Sequence, residues 1–182
     1  MTPSQTGCLH ARQKCRLLLN RARAAVRQLQ ASLPLSSLEW MPPSSIAISA
    51  AQQNKLLAAA EQAAHHAYAP YSGFRVGAAL LLEGDAIVTG ANVENASYSL
   101  SICAERSAVA RAIAQHGPKL RILAAAVTNL NNAPSSPCGA CRQVLAEFMP
   151  PNGLVLFPFD GTAQTHTLAE LFPLGFDLTH AE

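Results

Sequence analysis

Three cysteines and one glutamate form the most constraining pattern in this chain of 182 residues. One residue separates Cys103 from Glu105, and the second pair, Cys138 and Cys141, is spaced i, i+3. Three thiolates supply three ligands of a tetrahedral zinc ion and leave its fourth position open, as in catalytic zinc sites. The chain is therefore expected to fold so that these two distant segments meet at one zinc ion.

Both cysteine segments are predicted to begin helices, one at Cys103 and one at about Gly139. Unpaired N–H groups at a helix N-terminus stabilise thiolates, so each helix start favours metal binding. Glu105 is not needed as a ligand, and a carboxylate beside the open metal position can take and return protons. Arg106 is expected to offset the excess negative charge of three thiolates. For Arg142, charge compensation and a plain helix-surface position are equally compatible with the sequence.

A structural zinc site is the alternative interpretation, because such sites usually have four protein ligands. His65, His66 or His116 would have to supply the fourth ligand, and none of them has ligand spacing to a cysteine. The other two cysteines, Cys8 and Cys15, are expected to play no part in the site. Five cysteines without a secretory signal make a disulfide framework an unfavoured explanation.

The periodicity of apolar residues predicts an α/β fold. Helices are expected over 50–68, 103–115, 139–148 and from 168 to 171, and strands over 76–82, 86–92, 122–128 and 154–159. Gly84 and Asp85 are expected to form the turn between the first two strands. A hairpin followed by alternating helices and strands implies a three-layer α-β-α sandwich with a mixed sheet.

Charge and composition divide the chain into two parts. Residues 1–40 hold six basic side chains and one acid, whereas the remainder holds seven basic and ten acidic side chains. The stretch over residues 34–45 is rich in proline and serine, which is typical of a linker. We therefore expect a basic extension with its linker over 1–46 and a catalytic domain over 47–182. The extension is typical of a targeting segment, a solvated tail, or sequence upstream of a start at Met41. Without an apolar run long enough to span a bilayer, we expect a cytoplasmic protein with no membrane partner.

Five motifs, in order over more than two thirds of the chain, resemble the small, homotetrameric type of cytidine deaminase. They are Tyr68–Leu80 (YAPYSGFRVGAAL), Asn92–Tyr98 (NVENASY), Cys103–Arg106 (CAER), Pro137–Gln143 (PCGACRQ) and Leu171–Phe176 (LFPLGF). The resemblance implies the corresponding five-stranded mixed sheet. It also implies hydrolytic deamination of free cytidine and deoxycytidine in pyrimidine salvage, with one zinc ion per subunit and Glu105 as the proton carrier.

The resemblance also implies the substrate contacts. Phe74 would lie against the pyrimidine ring, and the backbone N–H of Ala104 would meet the oxygen at position 2 of the base. Asn92 and Glu94 would hold the ribose hydroxyls, and their spacing of two places both side chains on one face of an extended segment.

Two further aromatic residues are implied to act at contacts between subunits. Phe176 would close the pocket of a neighbouring subunit, and Tyr98 would support that shared site. The low fraction of charged residues, 13%, is compatible with subunits that cover much of one another's surface.

Three other functions compete with this interpretation. Blasticidin-S deaminase also has a three-cysteine site and a similar Pro-Cys-Gly-x-Cys-Arg-Gln stretch. It is not expected to contain the Phe-Arg-Val-Gly and Asn-Val-Glu-Asn blocks that are present here. A polynucleotide deaminase would need basic or aromatic surfaces along a strand path. The catalytic part is instead acidic, and we expect no nucleic-acid partner. A non-catalytic zinc-binding scaffold is disfavoured by the intact Glu105.

Overall fold

The computed structural model describes residues 46–176. Helices, strands and one 3₁₀ turn follow one another as α1 (Ala50–Ala64), β1 (Val76–Leu82), β2 (Ile87–Ala91), the 3₁₀ turn (Tyr98–Leu100), α2 (Ala104–His116), β3 (Ile122–Asn129), α3 (Gly139–Phe148), β4 (Leu154–Phe159), β5 (Thr162–Thr167) and α4 (Leu168–Leu171). None of the helices in this part of the chain is long and apolar enough to cross a membrane.

The five strands form one mixed sheet in the order β2-β1-β3-β4-β5. The pairs β1–β2, β1–β3 and β4–β5 are antiparallel, whereas β3 and β4 are parallel. The parallel pair follows from the α3 crossover, because neighbouring parallel strands need a long connection between them. The α/β fold with a mixed five-stranded sheet is therefore confirmed.

Helices cover both faces of the sheet. On one face, Leu56 and Ala60 of α1 pack on Ala79, Leu81 and other buried residues of the inner strands. On the other face, α2 and α3 pack on the opposite side of the same strands. The contact with α1 is very close at Gly77, where a Cβ atom would lie 1.9 Å from the carbonyl oxygen of Ala60. Small residues thus let the layers approach closely.

Several boundaries differ from the sequence expectation. The first helix ends at Ala64 rather than at residue 68, and Tyr68 instead bridges to Val93 beside the sheet. Strand β5 was not predicted, because its polar sequence Thr-Ala-Gln-Thr-His-Thr lacks the alternation of a half-buried strand. The predictions for the extension over 1–45, with Cys8 and Cys15, lie outside the described residues.

Candidate active site and zinc centre

The three predicted cysteine ligands lie together at two helix starts. Cys103 is the N-cap of α2, Cys138 is the N-cap of α3, and Cys141 lies in the first turn of α3. Their Sγ atoms all lie within 4.8 Å of one another. Cys141 is buried, Cys103 is half-buried and Cys138 is exposed, so the cluster has one open side.

The thiols influence each other's ionisation. Hydrogen bonds from Cys141 and Cys138 lower the pKa of Cys103 to about 6, and the positive charge of Arg106 adds to this effect. The contact with Cys103, together with burial, raises the pKa of Cys141. Cys103 therefore ionises readily, and its thiolate opposes ionisation of Cys141. A divalent cation at the centre resolves this conflict because its binding displaces the remaining protons, so the donor set fits zinc.

Glu105 lies beside this cluster, in the first turn of α2. Only 4% of the residue is exposed, and burial is the main cause of a raised pKa for its carboxyl group. A buried carboxyl with a raised pKa keeps its proton to a higher pH than an exposed one, which suits a group that takes and returns protons. The same helix turn begins at Ala104, whose backbone N–H is one of the groups without an intrahelical acceptor.

A cavity of about 380 Å³ opens over the cluster. Its volume lies in the range of about 300–1,000 Å³ typical of small-ligand sites. Most of the predicted site residues line it, and the fold brings them from four separate segments: Phe74, Asn92, Glu94, Tyr98, Cys103, Ala104, Glu105 and Cys138. Pro134, Ser135 and Ser136 complete the wall beside Cys138.

Asn92 holds the backbone on both sides of Arg75. Its Nδ2 donates to the carbonyl oxygen of Phe74 at 2.9 Å, and its Oδ1 accepts from the N–H of Val76 at 2.8 Å. An amide side chain has two N–H donors and two acceptor lone pairs, so one donor and one acceptor remain for a ligand. The side chain that was predicted to hold ribose therefore also fixes Phe74.

The carboxylate of Glu94 is held by the turn that precedes Phe74. It accepts hydrogen bonds from the backbone N–H of Tyr71 at 2.9 Å, from that of Ser72 at 3.3 Å, and from the hydroxyl of Ser72. The hydroxyl bond is the main cause of the lowered pKa of Glu94. Sequence reasoning assigned Ser72 no role, although it lies inside one of the recognised motifs.

The two arginines that follow the cysteine motifs have different contacts. Arg106 donates to the carbonyl oxygen of Ser101 at 2.7 Å, and its buried Nε has no partner among residues 46–176. Arg142 donates to the carbonyl oxygens of Pro137 at 2.8 Å and Leu171 at 2.7 Å. Arg142 therefore ties the end of α4 to the cysteine loop.

The two aromatic residues expected at subunit contacts are both exposed. Tyr98 lines the cavity, is 70% exposed, and has its ring 6.2 Å from that of Tyr71. Phe176 is 69% exposed and does not line the cavity of its own chain. The side chain of Gln143 fixes it by bonding both its backbone N–H and its carbonyl oxygen.

Comparison with known proteins agrees with this geometry. Residues 50–156 match the model of the cytidine and deoxycytidylate deaminase zinc-binding region. A cytidine deaminase of Sporosarcina psychrophila is 44% identical over 133 residues, which cover 70% of this chain and 95% of that protein. The chain belongs to the cytidine deaminase family. Another cytidine deaminase, from Halalkalibacterium halodurans, is 45% identical over 122 residues, or 66% of this chain and 91% of that protein.

Solved structures of the cytidine deaminase family have the same fold. The crystal structure of cytidine deaminase from Burkholderia pseudomallei superposes with a TM-score of 0.62 at 42% identity. The match covers 68% of this chain and 98% of the crystallised one. The family and its zinc-binding region, inferred above from five motifs, are thus confirmed.

Proposed function

We propose that this member of the cytidine deaminase family hydrolyses free cytidine and deoxycytidine to uridine and deoxyuridine and releases ammonia, as a step of pyrimidine salvage. Cytidine deaminase activity follows from the family and from the curated relatives that share most of the domain. The observation that carries the proposal is that one cavity contains both the buried Glu105 carboxyl and the polar side chains of Asn92 and Glu94. A nucleoside has chemically distinct halves that match these two regions.

The base half fits the end of the cavity at the thiol cluster. Zinc, when bound by Cys103, Cys138 and Cys141, supplies a Lewis acid that makes water nucleophilic near neutral pH. Glu105 then takes a proton from the attacking water, delivers it to the ring nitrogen at position 3, and later assists departure of the amine. Burial supports this role, because a carboxyl with a raised pKa accepts and releases protons more readily at neutral pH.

The sugar half fits the end formed by Asn92 and Glu94. After its three intramolecular hydrogen bonds, the Glu94 carboxylate retains an acceptor position for a ribose hydroxyl. Phe74, half-buried in the cavity wall, offers a flat surface to the pyrimidine ring, and such stacking contributes about 1 kcal/mol beyond burial. Ala104, the first residue of α2, lines the same cavity, and its backbone N–H has no intrahelical acceptor and can donate to the base oxygen.

Assembly and location form the finer part of the proposal. We propose a homotetramer in which Phe176 closes the cavity of a neighbouring subunit and Tyr98 supports the shared site. The exposure of both aromatic rings supports this arrangement, since aromatic side chains are enriched at protein–protein interfaces. We further propose that the enzyme acts in the cytoplasm on the free nucleoside. Arg106 is proposed to compensate the charge of the thiolates.

The test is a direct assay with purified full-length protein. Cytidine and deoxycytidine should both lose cytosine absorbance as the uracil products form, with one ammonia released per turnover. Blasticidin S and a single-stranded oligodeoxynucleotide containing cytosine serve as the comparison substrates. Faster turnover of blasticidin S than of cytidine, or editing of the oligonucleotide without turnover of the nucleoside, would overturn the proposal. A zinc-loaded protein inactive on all four would instead be a scaffold.

A further inference from the structure

The hydroxyl group of Ser72 joins the two ends of the proposed nucleoside site. It donates a hydrogen bond to Oε1 of Glu94 and accepts one from the backbone N–H of Phe74 at 2.9 Å. Ser72 does not line the cavity, so it reaches a ligand only through these two neighbours. The residue that would hold the ribose and the residue that would contact the ring are therefore fixed by one oxygen atom.

The local backbone explains why the hydroxyl points this way. A hydrogen bond from the N–H of Gly73 to the carbonyl oxygen of Ala69 closes a tight turn, and Gly73 has a positive φ of 68°. This conformation favours glycine, which has no Cβ to clash. The turn aims the N–H groups of Tyr71 and Ser72 at the same carboxylate that the hydroxyl bonds.

Glu94 depends on these contacts for a fixed orientation. Within residues 46–176 its carboxylate forms hydrogen bonds rather than an ion pair. The bond from the Ser72 N–H, at 3.3 Å, is longer than that from the Tyr71 N–H, at 2.9 Å. Hydrogen bonds to an ionised carboxylate are short and about twice as strong as those between neutral groups. Phe74, by contrast, keeps a second support when Ser72 is changed, since Asn92 still bonds its carbonyl oxygen.

We propose that Ser72 is a positioning residue for sugar recognition, which orients the Glu94 carboxylate so that its remaining acceptor faces the ribose hydroxyls. This inference rests on the proposed function, because it requires a nucleoside whose sugar contacts Glu94. It assigns to the proline–tyrosine–serine–glycine turn a role in discriminating sugars rather than in the chemistry at the base.

The test compares Ser72→Ala with Ser72→Thr, using cytidine and 2′,3′-dideoxycytidine, which lacks the 2′- and 3′-hydroxyl groups and keeps the 5′-hydroxyl. Ser72→Ala should raise the KM for cytidine about tenfold, the effect of losing one hydrogen bond to a charged group, and leave kcat within about twofold of wild type. The KM or inhibition constant of the dideoxy compound should stay unchanged. Ser72→Thr, which keeps the hydroxyl at an exposed position, should restore the wild-type KM. Thr165→Val removes a hydroxyl from exposed β5 and is the matched control.

A double-mutant cycle separates positioning from general structure. In a Glu94→Ala background, Ser72→Ala should raise the KM for cytidine by less than about twofold further, because the carboxylate through which Ser72 acts on the sugar is absent. Equal KM increases for both compounds, or additive effects in the cycle, would overturn the inference and leave the proposed function intact. If the wild-type enzyme itself bound both compounds equally well, the ribose role of Glu94 would fail, and the inference with it.

Discussion

Gly90 of β2 lies against the backbone of α2 so closely that a Cβ at this position would come within 2.4 Å of the nitrogen of Ala108. It would also lie 2.6 Å from the carbonyl oxygen of Ala104. The atoms that approach are backbone atoms, which cannot rotate away as a flexible side chain can. This contact fixes the helix that follows its N-cap Cys103 and carries Glu105 in its first turn.

Replacing Gly90 by alanine should therefore affect both stability and activity. Overpacking of this kind costs about 1–3 kcal/mol, which a melting curve or denaturant titration will detect. Because α2 must move away from β2, kcat with cytidine should fall in the fraction that remains folded. Gly139→Ala is the stability control, since a Cβ there meets no atom within 4 Å. An unchanged melting temperature for Gly90→Ala would contradict the close contact.

Glu105→Gln should keep zinc and lose most turnover. The amide is nearly isosteric with the carboxyl but cannot carry a proton, and loss of a general acid–base group typically costs about 10²–10⁴-fold in rate. Steady-state kinetics with cytidine, combined with metal analysis of the same preparation, provides the measurement. Glu61→Gln, at an exposed position on α1, should retain wild-type turnover. Comparable rates for Glu105→Gln and wild type would disprove the assignment of the proton carrier.

Metal content should depend on three of the five cysteines. Purified protein should contain about one zinc per chain, and Cys138→Ser or Cys141→Ser should reduce both zinc and activity, since thiolates are the preferred ligands. Cys8→Ser and Cys15→Ser should retain full zinc and activity. Elemental analysis and activity after chelation and zinc re-addition test this. Zinc loss in Cys8→Ser or Cys15→Ser would place a ligand in the N-terminal extension.

Sugar binding should persist to acidic pH. The hydrogen bond from the Ser72 hydroxyl is the main cause of the lowered pKa of Glu94. Glu94 therefore stays ionised above that pKa, and its binding to the sugar weakens only as the pH falls through it. In Ser72→Ala the pKa should rise, so 1/KM for cytidine should begin to fall at a higher pH than in wild type. Any acid limb that remains in Glu94→Gln belongs to other groups of the cavity, such as Glu105. If the acid limb of 1/KM lies at the same pH in Ser72→Ala and in wild type, Ser72 does not lower the pKa of Glu94.

Mixing two defective variants should restore activity if Phe176 acts between subunits. Phe176→Ala has an intact Glu105, and Glu105→Gln has an intact Phe176, so mixed oligomers contain sites with both groups. Activity after co-refolding or co-expression should exceed the sum of the separate variants, and size exclusion should give the mass of a tetramer. Leu174→Ala, at a 93% exposed neighbour, controls for the segment. A fully active monomer would show that Phe176 of a neighbouring subunit is not part of the active site.

Local pattern predicted most elements because their signals lie within a few residues. The α3 helix was predicted over 139–148 and found there, since its capping cysteine and its apolar periodicity are both local. Strand β5 escaped prediction because its sequence is polar and it lies at the edge of the sheet, where it pairs with β4. The end of α1 was placed too late because Tyr68 leaves the helix to pair with Val93, a contact 25 residues away in sequence.

The sequence by itself determined the functional groups of this site: which three cysteines cluster, which carboxylate stands beside them, and which family motifs surround them. Residue type and short spacing are enough for that, because ligands and proton carriers are defined by their functional groups. Only the tertiary structure decided how Ser72 connects Glu94 to Phe74 and how Arg142 reaches Leu171. These contacts join segments that the sheet and its crossovers bring together, and hydrogen bonds depend on distances that no local pattern contains.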